Sequence, residues 1–141
     1  MPIDFVVDTE HRVVFTVASG EFSVGDAISH MDRLRADPRF SPVFNQIADF
    51  DDVDSMLLSG LDVRTFAQQT VFSATSRRAL IIATPLGYGL GRMFTTLREL
   101  AGEPHLAIVR TLAEAAEWTR VDLKVAEEAC GALKQRLRRN P

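Results

Sequence analysis

The segment Arg78-Ala-Leu-Ile-Ile-Ala-Thr84 constrains this chain most. Its centre is an unbroken apolar run, so a strand made from it has no polar face to give to water. Such a strand must be covered on both sides, as strands of parallel sheets are. The other apolar patterns then have to supply neighbouring strands and covering helices. Ile3, Phe5 and Val7 alternate, Asp8-Thr-Glu-His11 breaks the pattern, and Val13, Phe15 and Val17 resume it, which predicts a hairpin. Phe44–Phe50 and His105–Val109 predict two further strands.

Between the strands the period changes to that of helices. Ser23 and Asp26 form a capping-box variant ahead of Val24, Ala27, Ile28, Met31 and Leu34, and Asp37-Pro38 ends that helix because the residue before proline is pushed out of the α region. Ser59 with Asp62 caps a helix carrying Val63, Phe66, Ala67 and Val71. Leu90, Met93, Phe94, Leu97 and Leu100 mark another helix, stopped by Gly102, and Thr111-Leu-Ala-Glu114 opens one with Ala115, Ala116 and Trp118. The order β-β-α-β-α-β-α-β-α predicts an α/β fold: a mixed five-stranded sheet, an antiparallel hairpin followed by parallel βα units, covered by helices.

Beyond this order, residues 119–141 add an amphipathic helix with Leu123, Ala126, Cys130, Leu133 and Leu137 at 3-4-3-4 spacing. Two heptads are short for an independent coiled coil, so the stripe needs a cover, either its own sheet or a second subunit. No Pro or Gly separates it from the helix before it, so the two are expected to be able to run together.

A chain of 141 residues is one domain by size. Its net charge of −3 is uneven: residues 119–141 hold six Lys/Arg against three Asp/Glu, so the rest is acidic. An acidic body has no basic field for phosphates, and nucleic acid is excluded as a partner. Lys134, Arg136, Arg138 and Arg139 read as a solvated helix end whose cations complement the dipole. No apolar run is long enough to span a membrane, and Met1-Pro-Ile-Asp-Phe5 lacks the regions of a signal peptide, so a cytoplasmic protein is expected. The single cysteine, Cys130, reads as a small buried or interfacial apolar residue.

Residues Asp49-Phe-Asp-Asp-Val-Asp-Ser-Met-Leu-Leu-Ser-Gly-Leu-Asp-Val63 resemble the switch loop of STAS domains, the SpoIIAA-like anti-sigma-factor-antagonist family. Ser59, Gly60 and Leu61 keep that register, while Leu57 and Leu58 stand at the aspartate and phosphoserine positions. Leu34–Phe40 and Tyr88–Phe94 are similar to segments of the divergent STAS/SEC14-like bacterial branch, for which no activity is generally assigned. The resemblance covers roughly residues 1–118 and implies a SpoIIAA-like fold whose phosphoswitch is lost, with 119–141 as an extension of the same domain or an oligomer interface.

Ligands in open α/β sheets sit beyond the carboxyl ends of the parallel strands. That rule gathers Asp49, Thr84, Tyr88, Arg92 and Arg110 as candidate ligand contacts. Asp49, Asp51 and Asp52 lack the ordered oxygen series of a calcium loop, and no metal is assigned; Asp49 is expected to accept backbone hydrogen bonds while Asp51 and Asp52 shape a turn. Gly87, Gly89 and Gly91 lack the Gly-Lys-Ser/Thr of a nucleotide loop and read as a tight turn that lets a helix approach the sheet. Arg77-Arg78 reads as a gate at a strand edge, with a functional anion site as the alternative. His11, His30 and His105 share no motif with a serine nucleophile, so no catalytic residue and no cofactor are assigned. Ser59 is expected to cap a helix, a position where a phosphate dianion is also electrostatically acceptable.

Two functions are expected from these readings. The first is a non-enzymatic interaction protein that self-associates, a dimer being favoured. The alternative is a carrier or sensor of a small amphipathic or anionic ligand, and an enzyme using the Asp49 rim is the remote third.

Overall fold

The computed structural model describes residues 2–140. Strands β1 (Ile3–Asp8) and β2 (Val13–Ser23) form the hairpin. They are followed by α1 (Val24–Ala36), β3 (Asn45–Leu57), α2 (Gly60–Phe66), β4 (Arg78–Ile81), α3 (Pro85–Leu100), β5 (Leu106–Val109), α4 (Leu112–Thr119) and α5 (Leu123–Arg139). The sheet runs β1-β2-β3-β4-β5, with β1 and β2 antiparallel and every later pair parallel. This is the mixed five-stranded α/β sheet expected from the periodicity. Among the described residues no helix is long and apolar enough to cross a membrane.

Strand alternation sorts the side chains to two faces. Val13, Phe15, Val17, Ile47, Ala79 and Ile81 lie on one face, under Ala115 and Ala116 of α4 and Ala126, Cys130, Leu133 and Leu137 of α5. Ile3, Ala18 and Phe22 lie on the other, packed with Ala27 of α1, Val63 and Phe66 of α2, and Phe94 of α3. The caps read from sequence form: Ser23 with Asp26 and Ser59 with Asp62 are reciprocal capping boxes, and Thr84 and Thr111 cap α3 and α4.

Several expectations are corrected. The stripe of α5 is covered by its own sheet: Ala126, Cys130, Leu133 and Leu137 are buried against β1 and β2, while Leu123 stays 39% exposed. They are core residues of this chain, so the apolar need that suggested a second subunit is met internally. Nor do the last two helices merge. Arg120 adopts the left-handed conformation (φ 60°) and Asp122 caps α5, turning the chain back onto the sheet. Asp51 and Asp52 lie inside β3 rather than in a turn, because β2 is long enough to pair with β3 as far as Ser23 and Leu57 through two register shifts.

The glycine-rich segment is not a turn. Helix α3 begins at Pro85 and includes it. A Cβ on Gly91 would stand 2.8 Å from Ile82 Cδ1 and 3.0 Å from Ile108 Cδ1, so glycine is what lets this helix lie so close to the sheet. Arg77 and Arg78 do not guard an edge either, since β4 lies between β3 and β5. The basic end of α5 answers the acidic body: Lys134 pairs with Asp49 at 3.0 Å, Arg136 with Asp4 at 2.8 Å and Arg138 with Asp52 at 3.4 Å.

Candidate functional site

On the face covered by α1, α2 and α3, alternation brings polar residues into an otherwise apolar surface. Thr16 interrupts the valines and phenylalanine of β2, and Gln46 and Arg78 are cross-strand partners on β3 and β4. All three point to the helical side because their neighbours Phe15, Ile47 and Ala79 fill the opposite face. His30 of α1 is delivered onto the same row. Its ring meets Phe5 edge-on at 5.3 Å.

These side chains form a chain of hydrogen bonds. Arg78 Nε donates to Gln46 Oε1 at 3.2 Å, and Gln46 Nε2 donates to Thr16 Oγ1 at 3.1 Å. Thr16 Oγ1 lies 3.4 Å from His30 Nε2. The other ring nitrogen, His30 Nδ1, is buried without a partner. Such orphaned polar atoms are uncommon in folded interiors and call for a specific explanation.

Behind Arg78 stands a buried ionic cluster. Arg78 Nη1 and Arg98 Nε both donate to Glu103 Oε2 at 3.0 Å, with side-chain exposures of 12%, 3% and 6% for Arg78, Arg98 and Glu103. Gly102 (φ 102°) bends the chain at the end of α3 so that Glu103 N–H donates to Arg98 O at 2.9 Å, which places the carboxylate beside the helix. Arg98 also donates to Ala67 O and Thr70 Oγ1. Phe72 packs its ring 4.3 Å from the Arg78 guanidinium carbon. Burial pulls the Arg78 pKa down to about 10, against the favourable charge of Glu103, so the guanidinium stays charged at neutral pH.

The polar row opens onto a cavity of about 110 Å³ between the sheet and the three helices. Thr16, His30, Gln46, Gln69 and Arg78 form its polar part; Phe22, Met31, Phe66, Leu80, Leu90 and Phe94 are among its apolar walls. An apolar hollow with a few convergent polar groups is the usual form of a small-molecule site. An engineered apolar cavity of about 150 Å³ accepts benzene, so this volume suits a small organic molecule or a few waters.

Burial, reinforced by the cations Arg33 and Arg78, holds the His30 pKa down at about 4 from 6.5, and the ring is neutral at pH 7. Between those values the unfolded chain takes up a proton that the native chain refuses. The native state therefore keeps its full advantage above pH 6.5 and loses it as pH falls through about 4. At about 1.36 kcal/mol per pH unit this loss approaches about 3 kcal/mol. Urea denaturation at pH 7 and pH 4 is expected to show the wild type losing about that much more stability than His30→Gln. Equal losses in the two proteins would contradict the neutral, buried state of His30.

The residues expected at the carboxyl rim are not brought together. Asp49 lies on the opposite face from the cavity, where it accepts from Asp51 N–H at 2.9 Å and pairs with Lys134. Thr84 accepts from Gly87 N–H at 3.1 Å as the cap of α3, while Tyr88, Arg92 and Arg110 are exposed. Among the described residues no hydrogen bond or ion pair joins Asp49, Thr84, Tyr88, Arg92 and Arg110 to one another. Ser59 is exposed and exchanges hydrogen bonds with Asp62 at 3.0 Å. Burial and the nearby Asp49 push the Cys130 thiol up to about 12, which makes it inert. The histidines stay apart, His11 bonded to Asp8 in the hairpin turn and His105 preceding β5.

Gln46, Arg98 and Glu103 were not among the sequence candidates; Arg78 entered only within the basic pair Arg77-Arg78, and His30 only as a histidine without a motif. The legible signal was polar residues at inward strand positions, Thr16 between Phe15 and Val17 and Gln46 before Ile47. In comparisons with known proteins the chain matches no protein-family model, and no curated protein matches it by sequence.

Proposed function

We propose that this is a non-enzymatic binding protein that holds a small, largely apolar molecule in the cavity between the sheet and α1, α2 and α3, as a carrier or sensor. The observation that carries this reading is the unpartnered His30 Nδ1 beside an apolar hollow. A protein that used this space only as core would gain by filling it, since voids and buried unsatisfied polar atoms both cost stability. The ligand site then differs from the Tyr88/Arg92 rim, although Leu90 and Gly91 of the same helix line it. The reading sets the protein in the cytoplasm, in keeping with a lone cysteine.

The test is native mass spectrometry of the gently purified protein together with thermal denaturation in saturating toluene. Either a retained small mass or a rise of several degrees in Tm is expected, because a ligand that binds only the folded state stabilises it. Ala27→Met, which fills one wall, is expected to reduce both. Absence of both signals in the wild type would defeat the reading.

A second reading is a STAS-like interaction protein that self-associates. It is supported by the element order, by the intact Ser59–Asp62 cap and by exposed apolar side chains, among them Leu57, Leu61, Leu86 and Tyr88 at 52%, 71%, 62% and 47%. Light scattering over a wide concentration range checks it. A monomer throughout removes the self-association.

A further inference from the structure

Resting on the cavity reading, we propose that the molecule bound there is a small monocarboxylic acid, its carboxylate held between His30 and Arg78 and its tail in the apolar part of the cavity. Two independent observations point to an anion at that end.

The first is a charge imbalance. Arg78 and Arg98 share one carboxylate oxygen of Glu103, and among the described residues no other acid pairs with either guanidinium. The cluster is buried and carries one excess positive charge. An unneutralised charge in an interior is strongly disfavoured, and a bound anion removes the imbalance. Arg78 is the member that lines the cavity. Its hydrogen bonds within the protein use Nε and Nη1, which leaves Nη2 to meet a ligand.

The second is the direction of the hydrogen-bond chain. A guanidinium only donates, so the Gln46 atom facing Arg78 is the carbonyl oxygen, and the Gln46 amide then donates to Thr16. Thr16 Oγ1 thereby accepts from Gln46, and its own proton is free to be donated to His30 Nε2, 3.4 Å away. A neutral imidazole that accepts at Nε2 carries its proton at Nδ1. In that tautomer the orphan atom is an N–H donor, on a residue only 8% exposed that lines the same cavity as Arg78. A donor and a cation lining one cavity select an acceptor-only, negatively charged head.

One excess positive charge matches a monoanion. A phosphate dianion would reverse the imbalance rather than cancel it. The cavity of about 110 Å³ limits the tail to about four to six carbons, on the scale set by benzene in an engineered cavity.

Calorimetric titration with hexanoate, 1-hexanol and inorganic phosphate tests the assignment. Hexanoate is expected to bind at least tenfold more tightly than 1-hexanol, with phosphate not competing. Arg78→Met, which leaves Arg98 and Glu103 as a balanced pair, is expected to abolish the preference while keeping 1-hexanol binding. Should that variant not fold, the wild-type His30 imidazole resonances in ¹⁵N-detected NMR serve instead, with the Nδ1–H signal shifting on addition of hexanoate but not of 1-hexanol. Equal binding of acid and alcohol, or displacement of hexanoate by phosphate, overturns the carboxylate assignment and leaves the cavity reading standing. Binding of neither hexanoate nor 1-hexanol overturns both.

Discussion

Deleting residues 122–141 is expected to abolish cooperative folding. Helix α5 supplies Ala126, Cys130, Leu133 and Leu137 to the core that contains Val13, Phe15 and Val17. Without it those strand residues would face water, with roughly 1.5–3 kcal/mol lost for each large side chain uncovered. Asp49 would also lose Lys134, its partner on this face. The sum is comparable with the whole stability of a domain, about 5–15 kcal/mol. Circular dichroism should show no sharp thermal transition, and light scattering should show aggregates. A soluble truncated chain with a cooperative melt would show that α5 is an appendage. A milder version of the same test is Leu133→Ala, expected to cost about 2–5 kcal/mol in urea denaturation.

Glu103→Gln is the second large effect. It removes the one carboxylate that pairs with both Arg78 and Arg98 and leaves two buried cations facing each other. Breaking a buried ion pair from one side costs about 3–5 kcal/mol, because the remaining charge stays desolvated. The variant is expected to unfold at a correspondingly lower urea concentration. Combining Glu103→Gln with Arg78→Met should recover part of the loss, since a single buried cation is less unfavourable than two. If Glu103→Gln were as stable as the wild type, the cluster would have to be better hydrated than its burial indicates. The same variant bears on ligand chemistry: with the local positive charge increased, hexanoate should bind more tightly to whatever fraction remains folded.

How much of this was legible in the sequence depends on the range of the interaction concerned. Caps, periods and the apolar run of β4 are local, and local geometry settles them: Ser59 finds Asp62 three residues away whatever the rest of the chain does. The strand–helix order follows from the same local patterns. Asp51 and Asp52 were misplaced because a strand's length is set by its neighbour, here the 11-residue β2. The close approach of a helix at Gly87 and Gly91 was legible in the sequence, but their place inside the helix was not, because Thr84 and Pro85 start α3 earlier than the apolar period shows.

The candidate site was hidden for the same reason. Thr16, Gln46 and Arg78 are separated by about thirty residues each, and nothing in their local patterns links them. His30 reads as one polar residue in a helix until the helix is docked over the sheet. The sequence by itself determined the class of fold, the order of its elements and the location of its caps, because those depend on contacts within a few residues. Tertiary structure alone decided that α5 belongs to this chain's own core, that Asp49 faces away from the cavity, and that two arginines share one glutamate at one end of a hydrogen-bond chain that reaches His30. Those are consequences of strand register and helix docking, which bring distant residues within hydrogen-bond reach and exclude the water that would otherwise satisfy them.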